Sequence, residues 1–157
     1  MNIIYRKANL FDIEKLIQFR LDFLTEDRGE LPDDVKSNIV LQLKEYFTRH
    51  IGNDFIAFLA EADNQIVSGA FLVIIERPAN PSFITGRIGT VLNVFTYPKF
   101  RRQGIATNIL KELIKTAKDE NLSFLELSAT KKGRPLYEKL GFKIKNSHNT
   151  DMRLQLV

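Results

Sequence analysis

The fold is decided by residues 91–106, which read Val91-Leu92-Asn93-Val94-Phe95-Thr96-Tyr97-Pro98-Lys99-Phe100-Arg101-Arg102-Gln103-Gly104-Ile105-Ala106. An apolar run over residues 89–95 predicts a buried strand, and Pro98 ends regular pairing there. From residue 103 onward, apolar residues recur at helical spacing, at Ala106, Leu110, Leu113 and Ala117. The stretch therefore predicts a strand, a cationic loop and the beginning of an amphipathic helix.

The beginning of that helix is a candidate anion site. The first turn of a helix leaves backbone N–H groups unpaired and carries roughly half a positive charge, so it suits an anion such as a pyrophosphate. Gly104 has no side chain to hold a phosphate away, and Arg101 and Arg102 add attraction over a longer range. Successive N–H donors are expected from Gln103, Gly104, Ile105, Ala106 and Thr107.

Outward from this stretch, the hydrophobic pattern alternates between strand and helix periods. Asn9 is a plausible N-cap, with Asp12 three positions on, for a first helix that ends near Thr25. Asp63-Asn64-Gln65 predicts a hairpin turn. A second helix is predicted after Pro32, and a short helix over residues 135–140 ends at Gly141. The predicted strands are residues 3–6, 55–62, 66–75, 89–95, 123–129, 142–145 and 152–157. This order is typical of an α/β or α+β domain.

Size and composition limit the classes of protein. The chain has 157 residues, 44% of them hydrophobic, which predicts one domain over residues 1–157 with a single core. Without cysteine there is no disulfide framework and no thiolate nucleophile, and two histidines make a histidine-rich metal site unexpected. No signal peptide or membrane-length apolar run is seen, so we expect a cytoplasmic protein with no metal and no membrane partner.

The net charge of +4 leaves a nucleic-acid partner as an alternative. Basic clusters occur at residues 99–102 and 131–134, but most other cations are mixed with Glu and Asp along helical stretches, as on a solvated surface. We therefore expect no nucleic-acid partner.

Residues 101–106 also resemble a family signature. The GCN5-related N-acetyltransferase (GNAT) family has an acyl-CoA signature, Arg/Gln-x-x-Gly-x-Gly/Ala, which stands here as Arg101-Arg102-Gln103-Gly104-Ile105-Ala106. The family's Leu-Tyr-x-x-x-Gly-Phe element stands here as Leu136-Tyr137-Glu138-Lys139-Leu140-Gly141-Phe142, and the order of elements is similar along nearly the whole chain. The resemblance implies an α+β, three-layer fold. Its mixed, mostly antiparallel sheet would have six to seven strands, splayed between the fourth and fifth, with about four helices around it.

The resemblance also implies a site for acetyl-CoA as co-substrate. The pantetheine arm would pair with the splayed strand at Asn93, Val94, Phe95 and Thr96, and a backbone N–H near Val94 would donate to the thioester oxygen. Tyr137 matches the family's general acid, which protonates the departing thiolate. The alternative for Tyr137 is an amphipathic residue that packs the short helix.

The general base is less defined by the sequence. Asn93 stands where a carboxylate would be convenient, but an amide does not accept a proton at neutral pH, so it would position a water or the acceptor. Glu126, within an apolar strand, is the carboxylate candidate, and a solvated or ion-paired Glu is the alternative. Asp22 and Glu26 lie near the end of the first helix, where they would attract a cationic amine or form a solvated acidic surface.

These features together predict an acetyl-CoA-dependent N-acetyltransferase that acts on a primary amine by direct transfer, without a covalent enzyme intermediate. The alternatives are an acyl-CoA-binding sensor without turnover and a basic nucleic-acid-binding domain. Many family relatives are dimers, so a homodimer is a reasonable expectation.

Overall fold

The computed structural model describes all 157 residues, whose contacts divide the chain into two units, residues 1–127 and 128–157. The first unit holds the whole sheet. Its strands are β1 (Ile4–Lys7), β2 (Phe55–Ala62), β3 (Gln65–Glu76), β4 (Arg87–Thr96) and β5 (Leu125–Glu126). Its helices are α1 (Ile13–Arg28), α2 (Asp33–His50) and α3 (Ile105–Asp119), with 3₁₀ turns at Leu10–Asp12 and Pro98–Phe100. The second unit contains α4 (Arg134–Lys139).

The sheet is mixed, and its strands lie in chain order from β1 to β5. The first three pairs are antiparallel, whereas β4 and β5 are parallel. Asp63 and Asn64 connect β2 to β3, with φ angles of 49° and 62°. A two-residue loop with positive φ at both positions matches the right-handed twist of the flanking strands, so the predicted hairpin is confirmed.

Local sequence sets both ends of α1. The Asn9 side chain accepts from the backbone at Phe11, and the Asp12 carboxylate accepts from the Asn9 backbone N–H at 2.8 Å. This capping box confirms the predicted N-terminus, although the first turn is 3₁₀. The helix continues past the expected end at Thr25 to Arg28, because Gly29, at φ 82°, donates its N–H to the Thr25 carbonyl and closes the last turn.

Helices cover both faces of the sheet. One core cluster joins α1 and α2 to alternate residues of β2, among them Phe55, Ala57 and Leu59. The intervening β2 residues Phe58 and Ala60 are equally buried. Since side chains alternate across a strand, these two point to the other face, where α3 packs against β2, β3 and β4. The three-layer arrangement implied by the resemblance is thus present.

The predicted number of strands was wrong, because the sheet has five strands and not six to seven. The fifth strand is only Leu125–Glu126, where residues 123–129 were predicted, and residues 142–145 and 152–157 form no strand. An alternating pattern shows which face a strand would bury, but a strand also needs a neighbouring backbone for its hydrogen bonds. The unit of residues 128–157 contains no strand that could supply them.

In the second unit, α4 ends as the sequence predicts. Gly141 has φ 98° and donates its N–H to the Glu138 carbonyl, while the Phe142 N–H donates to the Tyr137 carbonyl at 3.0 Å. The rings of Tyr137 and Phe142 then meet edge to face, 5.9 Å between centroids. Glycine takes the left-handed conformation at this position with little strain.

No helix of the chain combines the length and apolar character that crossing a membrane requires.

Candidate functional site

A β-bulge interrupts β4 at Asn93 and Val94. Gly69 of β3 pairs with Phe95 and Phe71 pairs with Leu92, so one β3 residue stands opposite two β4 residues. Asn93 has φ 56°, a left-handed conformation that asparagine tolerates better than most residues. The bulge kinks the strand where the sequence predicted the reactive centre.

Pairing between β4 and β5 stops before the bulge. The two strands pair only at Gly89 with Leu125 and Thr90 with Glu126. From residue 91 to the end of β4, no bridge to β5 is formed, although pairing with β3 continues to Thr96. The splay between the fourth and fifth strands stays a prediction, but the edge of β4 that is unpaired from residue 91 onward can accept an extended group.

The N-terminus of α3 is not capped by the protein. Gly104 is the N-cap residue at φ 77°, and no side chain bonds to the first turn. The backbone N–H groups of residues 102–107 donate to no protein acceptor, whereas the Asn108 N–H already bonds to the Gly104 carbonyl. A Cβ built on Gly104 would meet no atom within 4 Å, so open space lies in front of these donors. Unpaired donors and open space together make an anion cradle.

The two arginines of the loop differ in their surroundings. Arg101 donates to both oxygens of Glu26, at 2.6 and 2.8 Å, and to the Thr96 carbonyl at 2.7 Å. Its guanidinium also lies 5.7 Å from the centre of the Phe95 ring. Arg102 is exposed, at φ 61°, and no protein group bonds to it. Arg101 therefore fixes the loop to α1, and Arg102 is the cation that is available to an anion.

The acidic residues proposed to attract an amine are already engaged. Glu26 pairs with Arg101, and Asp22 accepts from the Tyr97 hydroxyl at 2.5 Å and from the Gln18 amide at 2.8 Å. Burial, together with the hydrogen bond to Asp22, raises the pKa of Tyr97, which keeps the hydroxyl a donor. Asp22 and Glu26 thus connect α1 to the end of β4, and their role toward an acceptor stays a prediction.

Asn93 is the buried polar residue of the bulge. It is 3% exposed, its Oδ1 accepts from an Arg20 guanidinium N–H at 3.1 Å, and its Nδ2 has no partner. A buried donor without an acceptor costs about 1–3 kcal/mol. The bulge therefore holds an unsatisfied N–H donor close to a guanidinium.

Arg20 was missed from the sequence. It lies on α1 four residues after Leu16 and four before Leu24, both buried, so it interrupts an apolar stripe. Burial lowers the pKa of Arg20, and no carboxylate pairs with it. A cation at a core-facing helix position is the signal that would have found this residue.

The two candidate proton-transfer residues belong to different units. Glu126 lies in β5 opposite Thr90 and is half-buried. Tyr137 is in α4, where burial raises the pKa of its phenol. A raised pKa keeps the phenol protonated at neutral pH, as a proton donor requires. The catalytic roles of both residues stay predictions.

Comparison with known proteins decides the family. Residues 53–144, from the last turn before β2 to beyond α4, match the family model of the acetyltransferase (GNAT) domain. The chain belongs to the GNAT family. The GNAT domain thus covers the bulge of β4, the uncapped α3 and Tyr137.

Individual relatives agree with this assignment. A predicted acetyltransferase from Clostridium acetobutylicum, solved with acetyl-CoA, is 35% identical, with a TM-score of 0.81 over 99% of this chain and 96% of that one. Glucosamine 6-phosphate N-acetyltransferase of Trypanosoma brucei brucei is 29% identical over 101 residues, 63% of each chain, so this chain matches less than two thirds of that relative. The Arabidopsis thaliana glucosamine-6-phosphate N-acetyltransferase, at 17% identity and a TM-score of 0.67 over 97% and 99% of the two chains, shares the fold.

Proposed function

We propose that this GNAT protein transfers the acetyl group of acetyl-CoA to a primary amine of a small molecule or peptide. The observation that carries the proposal is the pair of features at one end of β4: uncapped amides at the start of α3, and a strand edge that does not pair with β5 beyond Thr90. A diphosphate needs several convergent donors, and an amide-containing arm needs a free strand edge. Both requirements of acetyl-CoA fit the residues present.

The α3 start supplies the nucleotide contacts. The N–H groups of Gln103, Gly104, Ile105, Ala106 and Thr107 donate to the diphosphate, with Arg102 adding its charge. Arg101 stabilises the same loop, because its guanidinium donates hydrogen bonds to Glu26 and to the Thr96 carbonyl. These contacts anchor one end of the co-substrate.

The bulge supplies the contacts of the reacting end. Asn93, Val94, Phe95 and Thr96 offer their main chain to the pantetheine arm, and the Val94 N–H donates to the thioester oxygen as negative charge develops there. One such donor is worth on the order of 3 kcal/mol in acyl transfer. When bound, acetyl-CoA supplies an activated acetyl group and a thiolate leaving group.

Proton transfers complete the mechanism. The Tyr137 phenol donates its proton to the departing sulfur, since burial raises its pKa and the phenol is therefore in its protonated form at neutral pH. Glu126 accepts the proton of the attacking amine, directly or through one water. Asn93 orients the acceptor side, and holding both reactants at attack distance provides much of the rate.

The test is a thiol-release screen with acetyl-CoA against amino acids, polyamines, amino sugars, aminoglycosides and peptide N-termini. Tyr137→Phe should lower kcat by about 100-fold or more against the best acceptor while leaving acetyl-CoA affinity within about twofold. Tyr5→Phe is the matched control, because its hydroxyl contacts only the Asn108 side chain. Unchanged turnover in Tyr137→Phe would remove it from the mechanism.

The same screen separates the enzyme from a sensor. Tight acetyl-CoA binding by isothermal titration calorimetry with no thiol release on any amine would contradict the transferase proposal and favour an acyl-CoA-binding module. Salt-sensitive binding to DNA or RNA with no acetyl-CoA binding would favour the basic-domain alternative.

A further inference from the structure

We infer that Arg20, positioned by Asn93, binds an oxyanion of the acceptor, so that the substrate is an amine that also carries a carboxylate or a phosphate. The inference rests on the proposed acetyl transfer, and it goes beyond it by naming the substrate class. It differs from the prediction that Asp22 and Glu26 attract a cationic amine.

The Arg20 guanidinium is held but not neutralised. One of its nitrogens donates to the Asn93 Oδ1 at 3.1 Å, and its Cζ lies 5.7 Å from the centre of the Phe23 ring. No carboxylate pairs with Arg20, whereas Arg101 is neutralised by Glu26. A half-buried guanidinium without a counter-ion is unusual unless a ligand supplies one.

The unsatisfied atoms at this place are all donors. The Asn93 Oδ1 is occupied by Arg20, its Nδ2 has no partner, and the other nitrogens of Arg20 bond to no protein acceptor. Asn93 itself is 3% exposed, so the accessible contact is Arg20 and the amide fixes its orientation. A group that satisfies such a site is an oxygen acceptor, and a planar guanidinium fits carboxylate or phosphate best.

The α1 carboxylates of Asp22 and Glu26 do not neutralise Arg20, because they are bonded to other protein groups. Both oxygens of Asp22 accept from protein groups, Gln18 and Tyr97, and both oxygens of Glu26 accept from Arg101. The other charged residues that influence Arg20 are Arg28 and Asp27, of opposite sign. None of these carboxylates pairs with Arg20, so its positive charge stays available to an anion.

A cation at this place also suits the chemistry. A nearby positive charge disfavours the ammonium form of a bound amine, and the neutral amine is the form that attacks. The oxyanion anchors the acceptor to Arg20, beside the bulge that contains Asn93 and Val94. One residue then both selects the acceptor and favours its reactive protonation state.

The experiment compares pairs of amines that differ in the oxyanion. Glycine and glycinamide form the carboxylate pair, and glucosamine 6-phosphate and glucosamine form the phosphate pair. Thiol release gives kcat/KM with acetyl-CoA, and isothermal titration to the CoA-loaded protein gives the affinity of each probe. In at least one pair the anionic member should be preferred about 10- to 100-fold, as expected for hydrogen bonds to a charged group.

Variants assign that preference to Arg20. Arg20→Gln should reduce the ratio within the pair to about one, and Arg20→Lys should restore part of it because the charge returns. Arg49→Gln is the control, since Arg49 is an exposed arginine of α2 that pairs with Glu45 and is not among the charges that influence Arg20. Comparing ratios across variants cancels the different basicities of the amines, and a thermal melt of each variant confirms folding.

The outcomes distinguish this inference from the transferase proposal. Equal affinity and rate within both pairs, a preference that survives Arg20→Gln, or an equal loss in Arg49→Gln would overturn the inference while leaving acetyl transfer intact. An oxyanion preference in binding that depends on Arg20, with no thiol release, would support the inference and contradict the transferase proposal.

Discussion

Gly104→Ala separates backbone strain from loss of the anion cradle. Gly104 adopts φ 77°, so alanine there costs about 1 kcal/mol and lowers Tm by roughly 2–4 °C for a chain of this size. The added methyl group meets no protein atom within 4 Å, so it projects into the open space before the α3 amides. If it displaces one charge-assisted hydrogen bond to the diphosphate, acetyl-CoA affinity falls about 10- to 100-fold.

The assay is isothermal titration of acetyl-CoA into each variant, with a thermal melt of the same sample. Gly52→Ala is the matched control, because Gly52 has φ 81° and equally open surroundings but follows α2. It should lose a similar amount of stability and retain wild-type affinity. Equal affinity in Gly104→Ala and wild type, or equal weakening in both variants, would refute the assignment of the α3 start as the diphosphate site.

Two further predictions concern the framework that holds the site. Arg6 bonds to the buried carboxylates of Asp12 and Glu61 and lowers the pKa of both, so Arg6→Gln should destabilise the protein by on the order of 3 kcal/mol at pH 7. Carboxyl groups in the unfolded chain have pKa values near about 4, so the lowered pKa values of Asp12 and Glu61 stabilise the folded protein above that pH. The Tm difference between wild type and Arg6→Gln should therefore shrink as the pH falls below about 4 and the two carboxylates become protonated. A Tm difference that stays constant down to about pH 2 would contradict this explanation. Tyr97→Phe removes the hydroxyl that donates to Asp22 and should lower the free energy of unfolding by about 1 kcal/mol, measured by urea denaturation. An unchanged free energy of unfolding would show that this hydrogen bond does not stabilise the protein.

The sequence predicted the features that depend on local chemistry. The left-handed residues of the β2–β3 turn, the capping box at Asn9, the Gly104 helix start and the Gly141 cap each follow from a few neighbouring residues. The GNAT resemblance then directed attention to the edge of β4 beyond Thr90, which does not pair with β5. Local signals and resemblance together were enough to place the candidate site on the chain.

The remaining features depend on partners far apart in the sequence. The alternation at residues 152–157 specifies a face but not a neighbouring strand, so the strand count was overestimated. The acidic cluster looked available because Asp22 and Glu26 meet Tyr97 and Arg101, 75 residues away, only in the folded chain. Arg20 was overlooked for the same reason, since its contact with Asn93 spans 73 positions.

The central claim is that main-chain donors at the start of α3 bind the diphosphate of the co-substrate while the free edge of β4 binds its arm. A crystal structure of the CoA complex tests it most directly. The account predicts phosphate oxygens at about 2.9 Å from N–H groups of residues 103–107, with the pantetheine amides hydrogen-bonded to the main chain of residues 93–96. A diphosphate bound elsewhere, or an arm that makes no main-chain bond to β4, would contradict it.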